Sequence, residues 1–117
     1  MKPRKPEDIL QDAVFDLCKL LHLHVAHFRP ALTQTGRWVT AVSADGKGWP
    51  DLSICGPGGL IFRELKNTGK YPSPEQRAWL ERLTEAGQDA GVWRPKDMAS
   101  GLIETTLKRL AKPAVAL

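Results

Sequence analysis

The chain predicts an α/β fold, a central mixed sheet with helices packed on its faces, and three observations carry that reading. Apolar residues recur at helical spacing from residue 6 to about 21. Two strand-like runs, DLSI and GLIFREL, flank the turn-forming CGPGG. A capped helical stretch then leads into a further strand-like run, DAGVWRP. At 117 residues the chain is long enough for one domain with a real core and too short for two. The expected element order is α-β-β-β-α-β-α, to which RWVTAV would add a short strand before the hairpin.

In residues 6 to about 21, Leu10, Val14, Leu17 and Leu21 recur at helical spacing with Cys18 alongside, which predicts an amphipathic helix. HLHVAHF follows, with the alternation and β-branched content of a strand running to about Phe28. Residues 29–48 are polar and glycine-containing apart from RWVTAV, which reads as a short strand or an ordered loop edge. DLSI and GLIFREL form an antiparallel hairpin. In SPEQRAWLERLTEAG, Ser73 is the N-cap, Pro74 the first helical residue and Gly87 the stop. DAGVWRP reads as a short strand, and residues 97–110 as a closing helix capped by Asp97. The crossover through the Ser73 helix is right-handed if this last strand runs parallel to the Glu64 strand.

Composition narrows the function classes. With 42% hydrophobic and 26% charged residues and no long apolar run, the chain matches a globular cytoplasmic protein rather than a membrane one. MKPRKPEDILQD lacks the apolar core of a signal peptide. Cys18 and Cys55 fit neither a zinc site nor a disulfide framework and read as two buried thiols. His22 and His24 lack further ligands at zinc-site spacing. A net charge of +4 permits a polyanionic partner without requiring one.

The informative feature is FRELK. Side chains alternate across a strand, so Glu64 and Lys66 share one face while Arg63 and Leu65 share the other. Folding the hairpin returns Asp51 beside Glu64 at one sheet end. Two carboxylates brought together repel unless a cation or proton compensates, and a hard divalent ion suits such oxygen ligands. The plainer alternative is a solvated strand end with Glu64 and Lys66 weakly paired. Two more polar groups lean inward: Glu7 continues the buried stripe of the first helix, and Gln76 precedes Trp79, Leu80 and Leu83 on theirs. Each has a local explanation too, Glu7 as a complement to the helix dipole and Gln76 as part of an S-x-x-Q capping box. Arg29, Arg37 and Lys47, in the polar segment, are candidate phosphate contacts, and Trp38 a candidate base-stacking residue.

GWPDL, FRELK and SPEQRAWLERLTEAGQDAGVWRP together resemble the VRR-NUC group of the PD-(D/E)xK nuclease superfamily, whose members read as G-x-PDL, an E-x-K strand, then an S-x-x-Q helix and a G...V strand. The resemblance runs from about Glu7 to Asp97. It implies a restriction-endonuclease-like core and a metal-dependent DNA endonuclease acting at flap or branched structures, related in fold to Holliday-junction resolvases. Asp51 and Glu64, with the Leu65 carbonyl, would bind Mg²⁺ or Mn²⁺. Lys66 would position or activate the attacking water, Glu7 would support the metal or its water, and Gln76 would orient Lys66 or the scissile phosphate. His27, beside Arg29, would lie near the mouth of the site, and a homodimer is implied by analogy. The competing readings are a nucleic-acid-binding module that keeps the fold without cutting and a basic adaptor domain.

Overall fold

The computed structural model describes residues 4–28, 31–32, 34–39 and 42–114. Helix α1 (Pro6–Leu20) starts with Pro6 at its first position, Glu7 and Asp8 in its first turn, and Leu10, Val14 and Cys18 buried along one side. It ends in a Schellman turn. The His22 N–H donates to the Lys19 carbonyl and the Leu23 N–H to that of Cys18, with His22 in the left-handed region at φ 59°. Strand β1 (His24–His27) therefore begins after His22, so His22 and His24 do not share a strand face.

β2 (Ala31–Leu32) and β3 (Trp38–Val39) pair antiparallel in a small separate ribbon. RWVTAV thus supplies a short strand, as expected, but outside the main sheet. β4 (Leu52–Gly56) and β5 (Gly59–Leu65) form the expected hairpin. Its turn is docked on the C-terminal end of the last helix, where the Gly58 N–H donates to the Leu110 carbonyl at 2.8 Å. Helix α2 (Pro74–Glu85) has Ser73 as its N-cap, and Gly87 follows its end. β6 (Asp89–Trp93) then pairs parallel to β5. The main sheet has the order β1-β4-β5-β6, mixed through this one parallel pair.

The predicted closing helix is two helices. α3 (Pro95–Ala99) ends at Ser100, and α4 (Leu102–Leu110) starts after Gly101, whose φ of 85° breaks the helical path. Asp97 is consequently not a cap residue; it lies at the third position of α3, where its carboxylate accepts the Arg94 N–H at 2.8 Å. Among the described residues no helix is long and apolar enough to cross a membrane.

The two sheet faces are built differently. On one, Leu52, Ile54, Ile61, Leu65 and Trp93 meet Leu10, Val14 and Cys18 of α1 and Ile103, Leu107 and Leu110 of α4 in a continuous apolar core. Each large aliphatic side chain buried this way contributes about 1.5–3 kcal/mol. The other face carries Phe62 and Glu64, and is covered near Phe62 by Trp49, which meets Phe62 and Trp79 edge-on at ring separations of 5.5 and 5.0 Å. Cys18 is buried in the core, whereas Cys55 is exposed, contrary to expectation. Cys55 pairs with half-exposed Leu60 next to the hairpin turn, on the face away from the core.

Candidate active site

The C-terminal end of β5 emerges between α2 and the start of β4, and hydrogen bonds from four elements fix what gathers there. Antiparallel pairing sets Leu52 opposite Arg63, so the preceding Asp51 falls beside the Glu64–Leu65 peptide. Its Oδ2 accepts the Leu65 N–H at 2.9 Å. This backbone bond extends the β4–β5 ladder by one side chain and pins Asp51 against Glu64.

Glu64 is 2% exposed. Its Oε1 accepts the Gln76 side-chain amide at 2.9 Å and lies 3.9 Å from the Lys66 Nζ. Its Oε2 is buried and has no hydrogen-bond partner. A buried polar atom without a partner costs about 1–3 kcal/mol, and more when charged. Burial first, then the neighbouring charge of Asp51 and a hydrogen bond the two carboxyls share when one is protonated, push the Glu64 carboxyl up to about 9, against the opposing pull of Lys66. When both are ionised, both are pure acceptors and neither satisfies the other. The pair is an electrostatic deficit that a cation would fill.

Gln76 reconciles the two readings of its sequence position. Its Oε1 accepts the Ser73 N–H at 2.8 Å while Ser73 Oγ accepts the Gln76 N–H, which is the capping box. Its amide nitrogen is thereby turned toward Glu64. The amide expected to orient Lys66 or a phosphate has Glu64 as its side-chain partner.

Glu7 reaches a different point. Its Oε1 accepts the Asn67 N–H at 3.0 Å, just past Lys66. Among the described residues, no three His, Cys, Asp or Glu side chains group as a metal cluster. Glu7 therefore does not form a third carboxylate of the pair; it ties α1 to the backbone that carries Lys66. Lys66 is further held by its own N–H, which donates to the Trp93 carbonyl at 3.1 Å.

The pattern reading missed the residues that hold the frame. Arg94, read only as the end of DAGVWRP, donates to the Asn67 carbonyl at 2.8 Å and the Lys70 carbonyl at 2.6 Å, with its guanidinium 5.6 Å from the Tyr71 ring centre. It clamps the loop that follows Lys66. Gly48 is the second: at φ 88°, a Cβ there would stand 2.5 Å from the Glu75 carbonyl carbon and 2.7 Å from the Gln76 nitrogen. Only glycine lets the segment leading to Asp51 lie directly on the first turn of α2. The Gly-x-Pro-Asp spacing was the available signal, since glycine marks close backbone approach.

The candidate DNA contacts separate. Lys47 lies at the rim of a cavity that also touches Asp51 and Gln76, and pairs with Glu75 at 3.4 Å. Arg37 is exposed in the β2–β3 connection. His27 packs edge-on against Phe15 of α1, ring centres 5.5 Å apart, rather than standing open at the mouth. Arg29 and the Trp38 side chain lie outside the described residues.

No family model matches the chain, and no curated protein matches it significantly. Among solved structures the chain is similar to one described as a VRR_NUC domain protein. The likeness covers 95% of this chain and 99% of that one, with a TM-score of 0.56 and 20% sequence identity. Helices, hairpin, crossover and parallel strand are thus arranged as in a VRR-NUC fold.

Proposed function

We propose that the protein is a Mg²⁺-dependent nuclease that hydrolyses phosphodiester bonds in DNA, at branched or flap structures. The observation that carries this reading is the buried, partnerless Oε2 of Glu64 beside Asp51. A purely structural carboxylate at 2% exposure would have its oxygens satisfied. The VRR-NUC fold supports the same reading.

The donor set suits a hard divalent cation: two carboxylates and the Leu65 carbonyl, with water and phosphate oxygens as the natural remainder. Asp51 and Glu64 would hold it, Mg²⁺ or Mn²⁺. Such an ion, when bound, lowers the pKa of a water ligand and offsets charge on the phosphoryl oxygens. The side chains supply the rest. Gln76 holds Glu64 in one rotamer through its amide. Asp51 is fixed by the Leu65 N–H, so neither carboxylate must reorganise. Lys66, 18% exposed at its side chain, presents an ammonium from the same face of β5. There it orients the attacking water and stabilises negative charge as the phosphate becomes pentacoordinate. Glu7 and Arg94 fix the backbone just past Lys66, through the N–H and the carbonyl of Asn67 respectively.

The test is cleavage of labelled duplex, flap and four-way-junction DNA with Mg²⁺, and without it. The expected outcome is metal-dependent cleavage that falls about 10²–10³-fold in Asp51→Ala and in Lys66→Ala. Binding without cleavage in Mg²⁺ and Mn²⁺ alike would overturn the reading in favour of a non-cleaving nucleic-acid-binding module.

A further inference from the structure

Beside the carboxylate pair lies a cavity of about 250 Å³. Phe28, Val42, Trp49 and Lys47 are among the residues that line it, together with Asp51 and Gln76. Its volume falls below the roughly 300 Å³ at which sites for drug-sized ligands begin. It matches one small ring system.

Two observations say what kind of ring. Phe28 and Val42 leave 42% and 43% of their surface exposed next to a strongly polar centre, where apolar area without an occupant is unfavourable. Trp49 is a fixed surface rather than an adaptable one. It is wedged edge-on between Phe62 and Trp79, and the Trp79 indole N–H is itself tied to the Asp45 carbonyl at 2.9 Å. An aromatic and apolar recess with a cation at its rim is the chemistry that takes a nucleobase on its flat faces while the strand's phosphate stays outside. The rim cation, Lys47, is 81% exposed at its side chain and spans 3.4 Å to Glu75. Such an exposed pair is worth little and exchanges readily for a phosphate contact.

We propose that this cavity is a base-binding subsite: one unpaired nucleobase of the substrate strand inserts between Phe28, Val42 and Trp49, setting its phosphate beside Asp51. The proposal rests on the nuclease reading for the identity of the substrate, and it adds a reason why the strand must be unpaired. A base inside a duplex is held in its stack and reaches the cavity only at the cost of unstacking.

Binding without turnover tests it. The full chain, with Ca²⁺ in place of Mg²⁺, is titrated by fluorescence anisotropy against a labelled single strand, the same strand carrying abasic sites throughout, and the blunt duplex. The abasic strand and the duplex should bind about tenfold more weakly than the normal strand. Phe28→Ala should bring the normal strand down to the abasic level and leave the abasic strand unchanged. Val42→Ala gives the same comparison with a smaller truncation, and the abasic arm needs no variant at all. Equal affinity for normal and abasic strands, or an equal loss on both in Phe28→Ala, overturns the subsite. Separate incubation with Mg²⁺ distinguishes the two failures. Hydrolysis with base-independent binding removes the subsite alone, and base-dependent binding without hydrolysis removes the nuclease reading alone.

Discussion

Adjacent residues of β5 place two charges in the interior, and they are treated in opposite ways. Arg63, on the core face, is 8% exposed and fully engaged. It donates to the Phe62 and Asp89 carbonyls at 2.9 and 3.0 Å, pairs with the Asp89 carboxylate at 2.8 Å, and lies 4.9 Å from the Trp93 ring centre. Glu64, on the other face, is more deeply buried, yet one oxygen has no partner and its nearest charged neighbours include another carboxylate. A buried charge is tolerable when its hydrogen bonds and counter-charge are complete, and costly when they are not. Arg63 is a finished interaction, so its role is to join β5 to β6. Glu64 is an unfinished one, which marks it as a place for something the chain does not itself provide.

Substitutions at these two positions should therefore have opposite signatures. The largest effect is expected from Glu64→Gln. Cleavage in Mg²⁺ should fall about 10²–10³-fold, since one of the two anionic ligands is gone. Metal-free stability near neutral pH should rise by about 1–2 kcal/mol, because a neutral amide replaces a carboxyl that must take up a proton to be buried beside Asp51, and it can donate to Asp51 in the same way. Cleavage assays and denaturant titration in chelator read the two halves, and a loss of stability would erase the contrast.

Arg63→Leu should do the reverse. Breaking the pair strands the Asp89 contacts, and urea unfolding should show a loss of about 2–3 kcal/mol. That is below the 3–5 kcal/mol of a fully buried pair because the Asp89 side chain is 42% exposed. Protein that remains folded should keep measurable cleavage.

The smallest effect sharpens the comparison through pH. Burial pushes the Asp89 carboxyl up, but the hydrogen bond and charge of Arg63, and then those of Arg109, outweigh it and hold the group below its ordinary 3.8. A carboxylate depressed in the folded state contributes stability that is present above its unfolded value and is lost as pH falls through the folded one. Arg109→Gln removes only the exposed partner, 3.2 Å away. It should cost under about 1 kcal/mol near neutral pH, with the difference from the parent vanishing once pH has fallen through the depressed folded value of the Asp89 carboxyl. Thermal melts across pH 2–7 check this.

What could be read in the sequence follows from the range of the interactions concerned. The two-residue period of FRELK assigns Glu64 and Lys66 to one face, and the CGPGG turn brings Asp51 back to meet them; both are local facts of a strand and its hairpin. Ser73 and Gln76 are likewise legible as a cap. The roles of Arg63, Arg94 and Glu7 depend on partners 26, 27 and 60 positions away, which no periodicity encodes. Arg63 was assigned its face but not its partner, because the register of β6 against β5 is set by packing. The break at Gly101 is a local signal that the reading of residues 97–110 as one helix capped by Asp97 passed over. Ser-Gly is a turn dipeptide; α4 beyond it buries Ile103, Leu107 and Leu110, while α3 before it packs half-buried Met98 against the core.

Gln76 closes the first turn of α2 with one end of its amide and grips Glu64 with the other. Fraying of that turn and release of the Glu64 carboxylate are then one event, not two. Slow hydrogen exchange at the Gln76 amide would report a formed site, and whatever occupies the carboxylate pair should deepen that protection from outside the helix.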